Sequence, residues 1–243
     1  FYNSGLMSIT IPASVTTIGN YAFWSDYTIA GNGKGDRSTS NLKQITFEEG
    51  SKLIWIGDYA FTSAMYVDQP LIIPASVRTI GDDAFNNMQA LPSVTFEAGS
   101  QLTSIGNSAF QYLFNKSFTK INIPASVTSI GSGAFANCTY LNSVTFGEGS
   151  KLTSIGESAF LYAQSLSNIT IPQNVTSIGT NVFQNSALTD AIINVGMLNK
   201  EGFPDALGSG KTFAGKTGVN VSSYQLFSGT GTLTGGWNNN SGN

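Results

Sequence analysis

A stretch near the C-terminus matches the pattern of a phosphate-binding loop. Residues 210–217 read GKTFAGKT and satisfy G-x-x-x-x-G-K-[ST]. In a nucleotide-binding enzyme this loop follows a buried strand and precedes a helix, so that backbone N–H groups and the helix N-terminus hold the phosphates. Here FPDALGS precedes the motif, and in the GVNVSSYQLF that follows, Val219 and Val221 alternate as in a strand. The surrounding sequence therefore favours a glycine-rich loop or hairpin over a phosphate site.

Other residues that could do chemistry are few. The chain has no His and a single Cys, Cys138, which excludes Ser-His-Asp and Cys-His catalysis and a His/Cys zinc site. Glu48, Glu49, Glu97 and Glu148 recur at similar places and could form an acidic stripe for glycoside hydrolysis or calcium binding. They occupy turns, where solvated Glu is ordinary, and no compact D-x-D-x-D loop accompanies them. We therefore predict no enzyme, no metal and no other cofactor.

The charge content excludes two further classes of partner. Only 10% of the residues are charged and the net charge is −3, with no long basic run. Nucleic acid is therefore a poor partner, because its binding requires a basic surface. No apolar run approaches the roughly 18 residues of a membrane-spanning helix, so we expect no membrane insertion within this chain.

An internal repeat organises most of the chain. One type of copy, typified by LMSITIPASVTTIGNYAF, places Pro after its first strand, and we call these the proline copies. A longer type, typified by LKQITFEEGSKLIWIGDYAF, has a Gly-Ser turn instead, and we call these the longer copies. The two types alternate, with proline copies at 6–23, 71–85, 118–135 and 166–183 and longer copies at 42–61, 91–110 and 141–160.

The residue pattern of one copy predicts short strands and turns. In L-x-x-I-T-I the Ile residues alternate with Thr, so Ile points inward and Thr outward. Pro12 then ends the first strand, and Val15 and Ile18 predict a second short extended segment. We expect Gly19 to adopt a backbone conformation that a Cβ would oppose. No segment has the period of a long helix, and one copy cannot bury its own Ile and Phe, so stacked copies must share a core.

The pattern L-x-x-I-x-I-P-x-x-V-x-x-I-G-x-x-A-F resembles the BspA-like leucine-rich repeats of the Treponema pallidum type. The resemblance implies a right-handed, mostly β solenoid arc with a parallel β-ladder on the concave face. Short second strands and turns would lie on the other side, with few or no long helices. We assign 1–194 to the solenoid, including a protruding loop at 24–41, and 195–243 to a C-terminal cap and tail. Phe1-Tyr2-Asn3 matches the end of an earlier copy, so we expect sequence before it.

The resemblance also implies a function. Members of this class are mostly surface or secreted proteins of bacteria and some protists, with roles in adhesion. It implies a binding module for an extracellular protein or glycan, host matrix included. The alternative is a passive spacer that carries another domain, and a nucleotide or glycoside hydrolase ranks third.

The candidate binding residues lie on the strand ladder and in the 24–41 loop. Each copy presents one outward residue at the centre of its first strand, namely Thr10, Thr46, Ile72, Thr95, Asn122, Thr145 and Thr170. From the loop we add the residue types common at interface hot spots, namely Trp24, Tyr27 and Arg37. The alternative interpretation is that Thr is simply a good exposed strand residue.

Two further groups of residues are expected to serve the core. Cys138 is predicted to be a small buried apolar residue. A set of aromatic residues just after the A-F units is expected to cap the core, in places where the family often has Cys: Tyr66, Tyr112, Phe114, Tyr140 and Tyr162.

The phosphate-loop motif can be tested by a single substitution. Because GKTFAGKT lacks a flanking buried strand and helix, we expect Lys216→Ala to leave the melting temperature and any activity unchanged. The measurement is thermal denaturation together with titration of ATP and GTP. Micromolar nucleotide binding by the parent chain, abolished in Lys216→Ala, would contradict this interpretation.

Overall fold

The structure, a computed structural model, describes residues 1, 5–24 and 41–188 and the backbone of 190–194 and 224–228. The GKTFAGKT motif, Tyr27 and Arg37 lie outside the described residues, as does most of the 24–41 loop. Within them the chain forms a parallel β-solenoid without a helix, as the repeat predicts.

The first strand of each copy joins a ladder that is interrupted at regular intervals. These strands are β1 (Ser8–Ile11), β3 (Gln44–Phe47), β5 (Leu71–Ile73), β7 (Val94–Phe96), β9 (Lys120–Ile123), β11 (Ser143–Phe146) and β13 (Asn168–Thr170). Each proline copy pairs with the longer copy that follows it, giving β1–β3, β5–β7 and β9–β11. No ladder pairing joins a longer copy to the next proline copy among these strands.

Proline explains this alternation. Each longer copy donates a backbone N–H to the preceding proline copy, as Glu97 does to the carbonyl of Ile73 at 3.0 Å. At the other junctions the residue in the register of Glu97 is a proline, such as Pro124, and proline has no N–H to donate. Side chains bridge there instead: the Ser126 hydroxyl donates to the carbonyl of Ser100 at 2.9 Å.

The second strand of each copy forms the one continuous sheet among the described residues. Every member has two residues, and the strands are β2 (Thr17–Ile18), β4 (Trp55–Ile56), β6 (Thr79–Ile80), β8 (Ser104–Ile105), β10 (Ser129–Ile130), β12 (Ser154–Ile155) and β14 (Ser177–Ile178). They pair in parallel in the order of the copies, with each Ile directly opposite the next.

Glycine after each of these Ile residues is required by close packing between copies. A Cβ would lie 2.3–2.5 Å from the nearest atom of the preceding copy at Gly57, Gly81, Gly106, Gly131, Gly156 and Gly179. Gly19, in the first described copy, meets nothing within 4 Å. None of these glycines has positive φ, so the expectation of an unusual backbone conformation was wrong. The reason for glycine is space.

The left-handed backbone conformation occurs at other positions. Two places before the core Phe, the φ angles are 50–62°, at Tyr21, Tyr59, Asp83, Ser108, Gly133, Ser158 and Asn181. The N–H groups of the first six of these residues donate to the following copy, as Tyr21 does to the carbonyl of Asp58 at 2.9 Å. These inter-copy bonds offset the cost of positive φ in a residue with a side chain.

A stack of phenylalanine rings fills the core. Neighbouring rings have centroids 4.9–5.8 Å apart and planes within 8° of parallel, in the order Phe1, Phe23, Phe61, Phe85, Phe110, Phe135, Phe160 and Phe183. The rings from Phe61 to Phe160 are completely buried. The strand Ile, Val and Leu residues pack around this stack in a single cluster.

The solenoid extends into an eighth first strand. Strand β15 (Asp190–Asn194) pairs in parallel with β13, and β16 (Tyr224–Ser228) pairs antiparallel with β15. The strand pairing therefore changes from parallel to antiparallel at this end of the described ladder.

The close packing between copies predicts different effects of the same substitution at two copies. Gly106→Ala should destabilise the chain by about 1–3 kcal/mol, because the new Cβ would overlap the carbonyl group of Gly81, 2.5 Å away. Gly19→Ala, at the same repeat position, should change stability by less than about 0.5 kcal/mol. Chemical denaturation of the 243-residue chain measures both. Equal losses in the two variants would show that the glycine serves backbone conformation and not space.

Candidate functional site

The seven predicted strand residues form one row on the surface, which we call the ladder row: Thr10, Thr46, Ile72, Thr95, Asn122, Thr145 and Thr170. All are exposed except Thr46, which is half-buried. The strand register aligns Thr10 with Thr46, Ile72 with Thr95, and Asn122 with Thr145. The structure therefore brings these side chains together along one face.

Hydrogen bonds tie neighbouring members of the ladder row. The hydroxyl oxygens of Thr10 and Thr46 lie 2.8 Å apart, and the Thr145 hydroxyl donates to Oδ1 of Asn122 at 3.0 Å. Ile72 is the apolar member of the row, with 52% of its surface exposed. The row thus offers a neutral surface of hydroxyl and amide groups with one exposed aliphatic side chain.

A cleft interrupts this face where the ladder is unpaired between β7 and β9, and we call it the junction cleft. It has a volume of about 440 Å³ and its lining includes Phe96, Glu97, Asn122, Pro124, Ala125 and Gly147. The cleft also takes in Thr95, so two members of the ladder row border it. The repeat pattern gave no direct sign of a cleft, although the position of Pro124 could have indicated an unpaired junction.

Two carboxylates of the predicted acidic stripe accept hydrogen bonds from turns of neighbouring copies. One carboxylate oxygen of Glu48 accepts the backbone N–H of Ala13 at 2.8 Å, and Glu97 does the same for Ala75 at 2.9 Å. In these two longer copies the carboxylate therefore fixes the turn of the preceding proline copy. Glu148 is exposed, and no cluster of His, Cys, Asp and Glu in the described part of the chain could hold a metal ion.

A second recurrent contact was not predicted from the sequence. In the first four copies, the residue after the glycine of the short strand carries a side-chain oxygen that accepts the backbone N–H of its counterpart in the next copy. Asn20 accepts from Asp58 at 2.8 Å, Asp58 from Asp82 at 2.9 Å, and Asp82 from Asn107 at 2.7 Å. Recurrent Asn and Asp after Ile-Gly were the available signal. These side chains hold successive copies together.

Aromatic residues flank this chain of hydrogen bonds. The rings of Tyr21 and Tyr59 stack with centroids 4.9 Å apart, and Trp24 meets Tyr21 edge-on at 5.8 Å. Trp24 is therefore placed beside Tyr21, away from the ladder strands.

The carboxylate of Asp83 raises the pKa of Tyr59, and burial adds to this effect. Burial also raises the pKa of Asp83, against the opposing effect of hydrogen bonds from Asn86 and Tyr59.

The other predicted aromatic residues do not cap the core. Tyr66, Tyr112, Phe114 and Tyr162 are each 38–48% exposed, so the expectation was wrong for these four, whereas Tyr140 is half-buried. The buried position three places after the core Phe is instead taken by Ala64, Met88, Leu113, Cys138 and Ala163. Burial raises the pKa of the Cys138 thiol to about 12, which keeps the group protonated and unreactive. The prediction of a buried, small, apolar Cys138 is confirmed.

The repeats match a family model, that of the BspA type leucine rich repeat region. The model matches six copies, over residues 1–30, 37–115 and 54–189, and so covers more than half of the chain. No curated protein matches the chain. Among the described residues, no helix is long and apolar enough to cross a membrane.

Three solved structures resemble the chain over part of their length. The pneumococcal vaccine antigen PcpA is 24% identical with a TM-score of 0.50, and the match covers 75% of this chain and 61% of that one. A leucine-rich repeat protein from Bacteroides ovatus is 19% identical with a TM-score of 0.47, covering 76% and 54%. The T. pallidum leucine-rich repeat protein is 22% identical with a TM-score of 0.39, covering 59% and 53%. The chain thus spans little more than half of these proteins, and the likeness to PcpA is one of fold.

The raised pKa of Asp83 predicts an unusual pH dependence. The Asp83 carboxyl binds its proton more tightly in the folded chain than in the unfolded chain. The free energy of unfolding therefore falls as pH rises from the ordinary value of 3.8 through the raised pKa of the folded chain. Asp83→Asn should therefore raise the melting temperature at pH 7, and the gain should shrink as pH approaches 3.8. Asn fits the backbone, because Asn181 occupies the same position with a φ of 55°.

A second measurement checks the same pair of residues. Removing the carboxylate charge should lower the pKa of Tyr59, which ultraviolet titration of the tyrosines detects. A melting-temperature difference between parent and Asp83→Asn that stays constant at every pH would contradict the prediction.

Proposed function

Because the chain belongs to the BspA-type leucine-rich repeat family, we propose that it is a binding module of a cell-surface or secreted protein. Leucine-rich repeat proteins are generally binding scaffolds without enzymatic activity, and we propose the same for this chain. Its partner would be an extracellular protein or glycan, host matrix included, and its role adhesion. Family membership supports the surface location, since the repeats of this class belong mostly to surface and secreted proteins.

The observation that carries the proposal is the alignment of the ladder row. Its members come from successive copies and face outward on one side, so an extended partner would touch many copies at once. Stacked repeats commonly use such extended surfaces for binding. The row is neutral, which favours recognition by hydrogen bonds and apolar contact over attraction between charges.

The 24–41 loop is proposed as a second contact. It supplies Trp24, Tyr27 and Arg37, residue types that are enriched at the energetic centres of interfaces. Trp24 is half-buried beside Tyr21 where the loop begins. Support for the other two residues comes from their types alone.

Binding should be lost when a charge enters the ladder row. A screen of extracellular matrix proteins and a glycan array first identifies a partner. We then expect Thr95→Lys and Thr145→Lys each to weaken binding by about tenfold or more, because the buried ammonium would lack a partner. The melting temperature should hardly change, since both sites are exposed strand positions. Deleting 26–40 should act similarly if the loop takes part.

The controls are exposed residues elsewhere on each copy, Tyr112→Ala and Tyr162→Ala. These should leave affinity unchanged, and affinity should depend little on salt because the row is neutral. Unchanged binding in both lysine variants, together with loss in Tyr112→Ala or Tyr162→Ala, would move the site away from the ladder row. Failure of every protein and glycan to bind would leave the passive spacer.

A further inference from the structure

We propose that the junction cleft between β7 and β9 binds one neutral sugar unit of an extracellular glycan. The inference rests on the proposed binding function and names the ligand class and the place. The cleft's volume of about 440 Å³ lies within the range of small-molecule sites, roughly 300–1,000 Å³.

The unpaired junction creates the opening. At the paired junction beyond it, the N–H of Gly147 donates to the carbonyl of Ile123 at 2.9 Å. On the cleft side, Pro124 stands where that donor would be and has no N–H for the carbonyl of Phe96. The edges of β7 and β9 therefore face each other without a ladder, and backbone polar groups of both border the cleft.

Departures from the repeat pattern distinguish this junction from the others. The turn of Ala75 is covered by the carboxylate of Glu97, whereas the equivalent residue facing Ala125 is Gly147. A Cβ at residue 147 would lie 2.7 Å from the backbone nitrogen of Ala125, so the chain approaches closely there and places no side chain over the turn.

The other two junctions carry bulkier or less polar residues at the same places. The position of Asn122 is taken by Ile72 at the β3/β5 junction, and the position of Ala125 is taken by Gln173 at the β11/β13 junction. An amide in the row, a small turn residue and a missing carboxylate thus coincide at the junction cleft.

The lining has the chemistry that a sugar requires. Half-buried Phe96 and Pro124 present apolar surface to the C–H face of a pyranose ring. Asn122 is oriented by the Thr145 hydroxyl, which occupies its Oδ1, and its Nδ2 carries two donors. Hydroxyls of Thr95, Ser100 and Ser126 line the same space.

The lining of the junction cleft carries one negative charge, that of Glu97, and this charge disfavours acidic ligands. Glu97 is the one ionisable side chain of the lining, and its contact with Ala75 fixes the carboxylate in place. A carboxylate accepts hydrogen bonds from sugar hydroxyls and repels anionic sugars. A single carboxylate does not make a metal site, because calcium takes several oxygen ligands. A neutral sugar therefore fits the lining best.

The test uses free sugars and variants taken from other copies. Glucose, galactose, mannose and N-acetylglucosamine are titrated against the purified 243-residue chain by saturation-transfer NMR, with glucuronic acid as the anionic comparison. We expect saturable binding of at least one neutral sugar and none of glucuronic acid. Asn122→Ile and Ala125→Gln should each weaken that binding by about tenfold or more, through a lost hydrogen bond and a filled cleft.

The control is Tyr162→Ala, an exposed residue outside both the ladder row and the cleft lining, which should bind the sugar as the parent does. Both test variants install a residue that the same position carries in another copy, so the fold accommodates each. Absence of saturable binding by every neutral sugar overturns the inference, as does unchanged affinity in both variants. If a protein partner still binds the ladder row while no sugar binds, the inference fails and the proposed function stands.

Discussion

The spacing between successive copies is the constraint on which the rest of this structure depends. The phenylalanine rings stack at 4.9–5.8 Å, close to the roughly 4.8 Å that separates hydrogen-bonded strands. One spacing therefore satisfies both the aromatic core and the backbone ladder. It also leaves no room for a Cβ after the short strands, where Gly106 and its counterparts touch the preceding copy. Core, ladder and glycine are three consequences of a single repeat distance.

Proline acts on this regular stack by removing one hydrogen bond in every second junction. Pro74 and Pro124 lack the N–H that Glu97 and Gly147 donate, so the first-strand ladder falls into pairs while the short-strand sheet runs on unbroken. The continuous sheet is thus the one built from two-residue strands. The longer strands supply the exposed face, and their unpaired edges supply the space in which a ligand fits.

Much of this arrangement follows from the sequence. Alternation of Ile with Thr fixes which side chains point outward, and the spacing of Ile-Gly, which is nearly constant after the first interval, fixes the register, so the ladder row was predictable residue by residue. The hydrogen bonds of Asp58 and Asp82 between copies were not predicted, because they depend on the distance between neighbouring turns. The glycine after each short strand was predicted to be required, but for the wrong reason. The sequence indicates that a Cβ is excluded there, but not whether the φ angle or the neighbouring copy excludes it.

The regular repeat also limits the positions at which residues can distinguish one binding partner from another. The phenylalanine stack and the spacing glycines repeat in every described copy, so they distinguish no partner. Surface positions vary, as where Tyr21, Tyr59 and Asp83 occupy one repeat position in successive copies. Residue 147 is one such surface position. Its glycine replaces a carboxylate that fixes the neighbouring turn in two other copies. The loss of that contact leaves the turn at Ala125 without a covering side chain. A solenoid that gives up a stabilising contact at one copy gains a surface feature that its other copies do not have.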